Sequence, residues 1–504
     1  MRIHFIGIGG IGISALAQYY LKTDHKVSGS DLASSETTDL LKKMGAKVFI
    51  GAHQISNLKN QSFDKLRIDP ERSRTDQISK RQIKNQKLPD LVIYSPAVTK
   101  DNPELKEAYK IQDARYKIQV LSYPEALGEL TKQFFTIAVS GSHGKSTTTA
   151  LISVILMRAG LDPTVIIGTK LRELGNNNFR FGGFPKSEIL NLKSKILVIE
   201  SDEYKSSFLH YWPKIIVLTN LEYEHPDYFK NFRHYLRVFK KYLNHLKPAK
   251  SLQRTGLCKF KNGIIVANKD DKNVTNMTMV RQAHHKNVIL YYSSKQPEAK
   301  KIREILKIPG EHNVSNALAA LTVARKLKIP DKTTFKALSE YKGAWRRFEI
   351  IEAKLREYQS EKTQNITIIS DYGHHPTQVK ATIQAARERY PKQKIWIIYQ
   401  PHQYLRTYYL FNDYVRAFDE ADEVVLTEIY AVSGREDKKI MAKLSSKQLV
   451  EAVKKRVKAK KMQKKGHFVE NYQDVPEFLK SRVKNGDVVI VMGAGDIYKI
   501  ISNF

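Results

Sequence analysis

Thiol chemistry is almost absent from this chain: its 504 residues include one cysteine, Cys258. That excludes an internal disulfide framework and any zinc site built from several thiolates. Long apolar runs are missing too, and no stretch reaches the ~20 residues of a membrane span. No secretory leader is expected, because Met1 to Ile6 enters a strand pattern at once. Acid is scarce beside base: 85 Lys and Arg stand against 51 Asp and Glu, a formal net charge of +34. Such a surplus suits a polyanionic partner, either nucleic acid or a phosphate-bearing substrate. It concentrates in Lys65 to Lys87 and in Lys454 to Lys465. Neither stretch interleaves aromatics with its charge as a stacking site for nucleic acid does. The first reads as a solvated inserted loop and the second as a solvated helix face. These exclusions leave a cytoplasmic enzyme with neither nucleic acid nor membrane as partner.

What is present is glycine in particular places. Phe134 to Val139 reads as a buried strand, followed by Gly141, Ser142, His143, Gly144, Lys145, Ser146 and Thr147, then by helical spacing from Thr147 to Met157. Strand, glycine loop, Gly-Lys-Ser and helix are the parts of a phosphate-binding loop. Backbone amides line the turn, Lys145 reaches the β/γ-phosphates, and the Ser146 hydroxyl suits Mg²⁺. The pattern is one glycine short, since Val139 stands where the first would fall. A second glycine turn follows the strand Arg2 to Ile6: Gly7, Gly9, Gly10, Ile11 and Gly12 precede helical spacing from Ile13 to Leu21. The next strand, Lys26 to Asp31, ends in an acid where a ribose hydroxyl is commonly held. A nucleotide diphosphate on the first helix is the expectation.

Further strands end in candidate ligands. Ile196 to Ile199 runs into Glu200, Asp202 and Glu203; Ile215 to Leu218 runs into Asn220, Glu222, Glu224 and His225. Carboxylates there, downstream of a phosphate loop, suit Mg²⁺. His312, Asn313 and Asn316 precede an alanine-rich helix from Ala317 to Leu327. Ile366 to Ile369 runs into Asp371, His374 and His375, Lys394 to Tyr399 into His402 and Arg406, and Asp487 to Val491 into Gly493 and Gly495. The spacing predicts an α/β protein of three domains: 1–128, Rossmann-like; 129–343, carrying the phosphate loop; and 344–504, again Rossmann-like.

This ordered set of motifs resembles the Mur ligases of peptidoglycan synthesis. The resemblance implies an ATP-dependent, amide-forming ligase working through an acyl phosphate. The pattern is most similar to members that join UDP-N-acetylmuramate to L-alanine or a similar small amino acid. It implies that Gly9, Gly10, Ile11, Gly12, Asp31 and Ser95 hold the UDP sugar. ATP falls to Gly141 through Thr147, to Asn313 and Asn316, and to Arg347 and Asp371. Lys145, Glu200 and His225 are the implied catalytic residues; Ser146, Glu200 and His225 are the implied Mg²⁺ ligands. His374, His402 and Arg406 are placed at the incoming amino acid. The chain departs from the family pattern at Gln403, where an arginine is usual, and at Glu224, where an aspartate is usual. A sister ligase that attaches a recycled peptide is the nearest alternative. A nicotinamide-dependent oxidoreductase leaves the second phosphate loop idle, and a nucleic-acid-dependent ATPase leaves the first unexplained.

Overall fold

The computed structural model describes residues 1–59, 88–113, 118–185, 194–246, 263–282, 288–356, 363–432, 434–459 and 465–504. The basic insertion at 65–87 lies outside these residues, as do Cys258 and residues 460–464 of the second basic stretch.

Three sheets follow one another along the chain. The first comprises β1 (Arg2–Ile6), β2 (Lys26–Asp31), β3 (Lys47–Ile50), β4 (Leu91–Tyr94) and β5 (Gln119–Ser122). All its strands are parallel, in the order β3-β2-β1-β4-β5. The strand order reverses between β1 and β4, and the glycine turn after β1 opens at that switch point, where open sheets bind ligands.

The second sheet comprises β6 (Phe135–Ser140), β7 (Thr164–Leu171), β8 (Asn177–Arg180), β9 (Ile196–Glu200), β10 (Ile215–Leu218), β11 (Ile264–Asn268) and β12 (Val288–Tyr292). Its order is β12-β11-β10-β6-β9-β7-β8, with β6 central and buried throughout. A parallel strand covered on both faces must be apolar along its whole length, as Phe135 to Val139 is. The third sheet comprises β13 (Glu349–Arg356), β14 (Thr363–Asp371), β15 (Ile395–Tyr399), β16 (Glu423–Leu426), β17 (Lys465–Phe468) and β18 (Val488–Met492). Its order is β13-β14-β18-β15-β16-β17, parallel except for β13 against β14.

Four helices position the site: α1 (Ile11–Lys22), α2 (Lys145–Arg158), α3 (Glu311–Lys326) and α4 (Pro376–Arg389). Helix α2 is buried along almost its whole length because the sheet lies on one side and α3 on the other. Alanines at 317, 319, 320 and 324 make that close approach possible.

Two expectations shift. Helix α3 starts at Glu311, not after Asn316, because Gly310 at φ +97° turns the chain directly into it. Asn313 and Asn316 therefore project from the helix itself. Position 128 falls inside a helix, Tyr123–Thr131, whose Ser122–Glu125 capping box sets its start, so the first sheet's helices extend past the expected division. Within the second basic stretch, Arg456 is tied to Asp419 at 2.5 Å on a half-buried helix face.

Candidate active site

The end of β6 forces the loop that follows. Gly141 (φ +132°) backs onto Thr219 and Asn220, and Gly144 (φ +81°) onto the Asn316 amide; a Cβ at either would overlap those groups. No side chain caps α2, so its first amides are left for an anion, and Gly144 to Thr147 line a cleft of about 630 Å³. The Asn220 amide braces the loop, accepting from His143 N at 2.8 Å and donating to His143 O at 3.2 Å.

Lys145 Nζ donates to Gly141 O at 2.7 Å and to Glu203 Oε2 at 2.9 Å. Glu203 is fully buried, and burial, opposed by Lys145, pushes its carboxyl up to about 7. Burial works against the Lys145 charge, yet Glu203 and Asp202 more than compensate and the ammonium is strengthened. The second oxygen, Glu203 Oε1, has no hydrogen-bond partner and lies 3.7 Å from His225 Nε2; His225 Nδ1 is also unpartnered. His225 sits at φ +55°, a conformation that costs a non-glycine residue energy and collects at functional sites. Burial lowers its imidazole to about 4, which keeps it neutral and able to act as a ligand. Asp202, Glu203 and His225 each bring one ligand atom within 4.8 Å of the others. Glu200, the other expected carboxylate ligand, lines the same cleft and accepts from Gly168 N at 2.7 Å. Glu203 was read with Glu200 and Asp202 as a strand-end carboxylate suiting Mg²⁺ but was not among the implied ligands. Its signal was present, since it lies three residues past the end of β9.

The third sheet supplies the opposite wall. Arg347 donates to Ser146 Oγ at 3.1 Å and lies 5.0 Å from the Tyr372 ring centre. Asp371 is buried and accepts from Phe348 N at 2.9 Å and Gly373 N at 2.7 Å, so it fixes the loop carrying Arg347. The neighbouring Arg346 points away, boxed between Tyr498 and Tyr372 and bonded to Gly493 O and Gly495 O, which accounts for the glycine turn after β18. Asn313 and Asn316 reach the same cleft, Asn316 through a 3.2 Å bond from Thr148 Oγ1.

From the first sheet, Ile11 and Gly12 line the cleft, with the Tyr123 ring packed where a Gly12 side chain would stand. Tyr123 was not singled out from the sequence. Gly9, Gly10, Asp31 and Ser95 lie at the same sheet edge but outside that lining. Asp31 Oδ2 accepts from Gly9 N at 2.7 Å, so this acid braces the glycine turn.

The expected amino-acid residues are gathered around a buried ion pair. Arg406 is not presented to solvent: its side chain is 2 % exposed and meets Glu224 Oε2 at 3.3 Å. Burial opposes the charge on Glu224, but Arg406 holds its carboxyl well below the ordinary range. Arg406 also bonds His402 O at 3.1 Å, and the His402 and His374 rings lie 5.7 Å apart. Glu224 Oε1, Arg406 Nε and Gln403 Nε2 are buried without partners. Gln403 stands at φ +70°. Of this group only His374 and Glu224 line the main cleft.

Three family descriptions match the chain in succession: Mur ligase family, catalytic domain, over residues 2–135; Mur ligase middle domain, over 139–324; and Mur ligase, glutamate ligase domain, over 346–495. A UDP-N-acetylmuramate–L-alanine ligase of Clostridium acetobutylicum is 34 % identical over 518 residues, covering 99 % of this chain and 96 % of that protein. One from Aquifex aeolicus is 34 % identical over 526 residues, covering 100 % and 97 %. Among solved structures, the UDP-N-acetylmuramate-alanine ligase of Thermotoga maritima superposes with a TM-score of 0.70 at 24 % identity, over 100 % of this chain and 98 % of that one. With one cleft formed by residues from all three sheets, and full-length relatives above 30 % identity, this chain belongs to the Mur ligase family.

Proposed function

We propose that this enzyme joins UDP-N-acetylmuramate to L-alanine, or to a similarly small amino acid, at the expense of ATP. The observation that carries the reading is the single cleft that brings together the phosphate loop, the Gly12 turn of the first sheet and Arg347 with Asp371 of the third. Three domains, divided near residues 128 and 343, belong to the same proposal, as does a cytoplasmic setting. Among the described residues no helix is long and apolar enough to cross a membrane.

A carboxylate does not acylate an amine at neutral pH, so it must first be activated. The muramoyl carboxylate attacks the γ-phosphorus; the new C–O–P link forms as the β–γ bridging P–O bond breaks and ADP leaves. The amino nitrogen then attacks the acyl carbon, loses its proton, and the tetrahedral species expels phosphate. Both partners of the first step are anions, and Lys145 and Arg347 supply the opposing charge at the phosphates. For Lys145 this means exchanging Glu203 for phosphate oxygens. Asn313 and Asn316 contact the base. Gly9, Gly10, Ile11 and Gly12 face the sugar-nucleotide pyrophosphate, with Asp31 bracing the turn and Ser95 beside it. Ser146, Glu200 and His225, joined by Asp202 and Glu203, offer hydroxyl, carboxylate and neutral imidazole donors that suit Mg²⁺, which would neutralise phosphate charge. The unpartnered Glu203 Oε1 supports that fit.

The incoming amino acid is a zwitterion, and the Arg406–Glu224 pair offers one partner for each of its ends. The carboxylate engages Arg406, with His402 and His374 beside it, while the ammonium engages Glu224. Gln403 adds only neutral donors, which bond a carboxylate more weakly than a second guanidinium would. The test is product formation from ATP and UDP-N-acetylmuramate, screened over single amino acids and read by mass. L-alanine, glycine or L-serine should react; turnover only with a bulky or acidic amino acid, or with none, would overturn the assignment.

A further inference from the structure

His143 of the phosphate loop, Glu222 after β10 and His375 before α4 each bring one ligand atom within 4.8 Å of the others. That spacing alone would admit a cation. The surrounding hydrogen bonds direct the group to a different use. Gln378 is the capping-box residue of α4, and its Oε1 accepts from His374 N at 2.8 Å and His375 N at 3.1 Å. Two backbone donors fix the orientation of that amide, so its Nε2 donates to His143 Nδ1 at 3.0 Å. His143 must then carry its proton on Nε2, which donates to Glu222 Oε2 at 3.2 Å. Thr377 Oγ1 donates to the same oxygen at 2.7 Å. A metal on His143 Nε2 would need that proton gone and Nδ1 protonated against the Gln378 amide, so the chain of bonds disfavours the cation.

The chain also crosses from the central sheet to the third. Glu222 is fastened to the phosphate loop, its N–H donating to Ser142 Oγ at 2.7 Å and its carbonyl accepting from that hydroxyl at 2.8 Å. Burial opposes the Glu222 charge, yet the His143 and Thr377 bonds hold its carboxyl down at about 2, so it is a full anion at neutral pH.

We propose that Thr377 and Gln378 at the start of α4, with Glu222 and His143, form a latch that docks the C-terminal domain onto the phosphate loop. These are positioning residues: the latch seats Arg347 and Asp371 opposite the phosphates and fixes the His143 tautomer. The cap of α4 sets the polarity of the whole relay, so docking is read out on the loop that holds the transferred phosphate.

Two disruptive variants approach the latch from opposite sides, Gln378→Leu and Glu222→Leu. Two conservative ones keep its bonds: Thr377→Ser retains the hydroxyl that donates to Glu222 Oε2, and Glu222→Gln retains an acceptor for His143 and Thr377. Each disruptive change should lower kcat at least tenfold, with nucleotide affinity within threefold. The double disruptive variant should be no more than twofold worse than the poorer single, because both break the same link. The conservative variants should recover kcat to within threefold of the parent. Small-angle scattering with a non-hydrolysable ATP analogue and the UDP sugar should show compaction in the parent and conservative variants and not in the disruptive ones. The turnover arm rests on the proposed ligase reaction; compaction does not, so a failed latch is distinguishable from a wrong amino acid. Additive losses, disruptive variants within twofold of the parent, or compaction retained in the disruptive variants would overturn the proposal.

Discussion

Replacing Arg406 by alanine isolates one buried charge. In the parent, Arg406 and Glu224 are 2 % and 3 % exposed and 3.3 Å apart. Removing one partner of such a pair leaves the other uncompensated, at a cost of about 3–5 kcal/mol. Borne by the central domain, which carries the uncompensated Glu224, that loss corresponds to roughly 6–20 °C in Tm. The pH dependence carries the sharper signature. Glu224 in the parent has a folded-state pKa below its ordinary 4.5, so its stabilisation is present above that value and is lost as pH falls through the lower one. Without Arg406, burial raises the same carboxyl above 4.5; the penalty is then present at neutral pH and relieved as pH falls. The parent–variant gap should be widest near pH 7, narrow as pH falls toward about 4.5, and close only as pH drops through the lowered folded-state value. Differential scanning calorimetry across that range measures it. The double change Glu224→Leu with Arg406→Leu should recover most of the loss, because a well-packed apolar pair carries no desolvation cost. A Tm drop under 2 °C, or a gap that stays constant with pH, would refute the buried-pair reasoning. The amino-acid KM of Arg406→Ala should rise steeply while that of ATP stays nearly unchanged.

Lys145→Ala should cut turnover by roughly a thousandfold or more, while UDP-sugar binding by calorimetry stays within threefold. Gly144→Ala should abolish ATP binding in equilibrium titrations: about 1–2 kcal/mol of left-handed strain adds to overlap with the Asn316 side chain. In the first sheet, burial opposes the charge on Glu104, but hydrogen bonds from His4, His53 and Ser30 hold its carboxyl down at about 2. Its stabilisation is therefore full above about 4.5 and lost as pH falls toward 2. Glu104→Gln should cost about 3 kcal/mol at pH 7 and flatten the acid limb of a denaturant-stability profile.

The strands were legible wherever apolar runs end at glycine or at a polar ligand residue, as at Ile6, Ser140 and Leu218. The parallel arrangement followed from strands alternating with helices. The seven-stranded width of the central sheet was not read in full: Asn177 to Arg180 lacks the apolar density of a central strand, whereas Val288 to Tyr292 has it and was passed over. The start of α3 was misplaced because its first turn, Glu311 to Asn313, is polar and hid the helical period. At the site, residue types at strand ends were readable, but their partners were not. That Lys145 meets Glu203, that Asp31 turns back to Gly9, and that Gln378 reaches His143 depend on tertiary placement across 58, 22 and 235 residues. Arg406 is the plainest case: its place beside His374 and His402 was readable, whereas its pairing with Glu224 requires two sheets to meet. The departure from the usual aspartate at that position was visible without its consequence.

Isotope transfer tests the acyl-phosphate chemistry most directly. UDP-N-acetylmuramate labelled with ¹⁸O in its muramoyl carboxylate is turned over with ATP and L-alanine, and the released phosphate is analysed by mass. The proposed route predicts one labelled oxygen in each phosphate, because the carboxylate oxygen that attacked the γ-phosphorus departs with it. Unlabelled phosphate accompanying amide product would contradict the account.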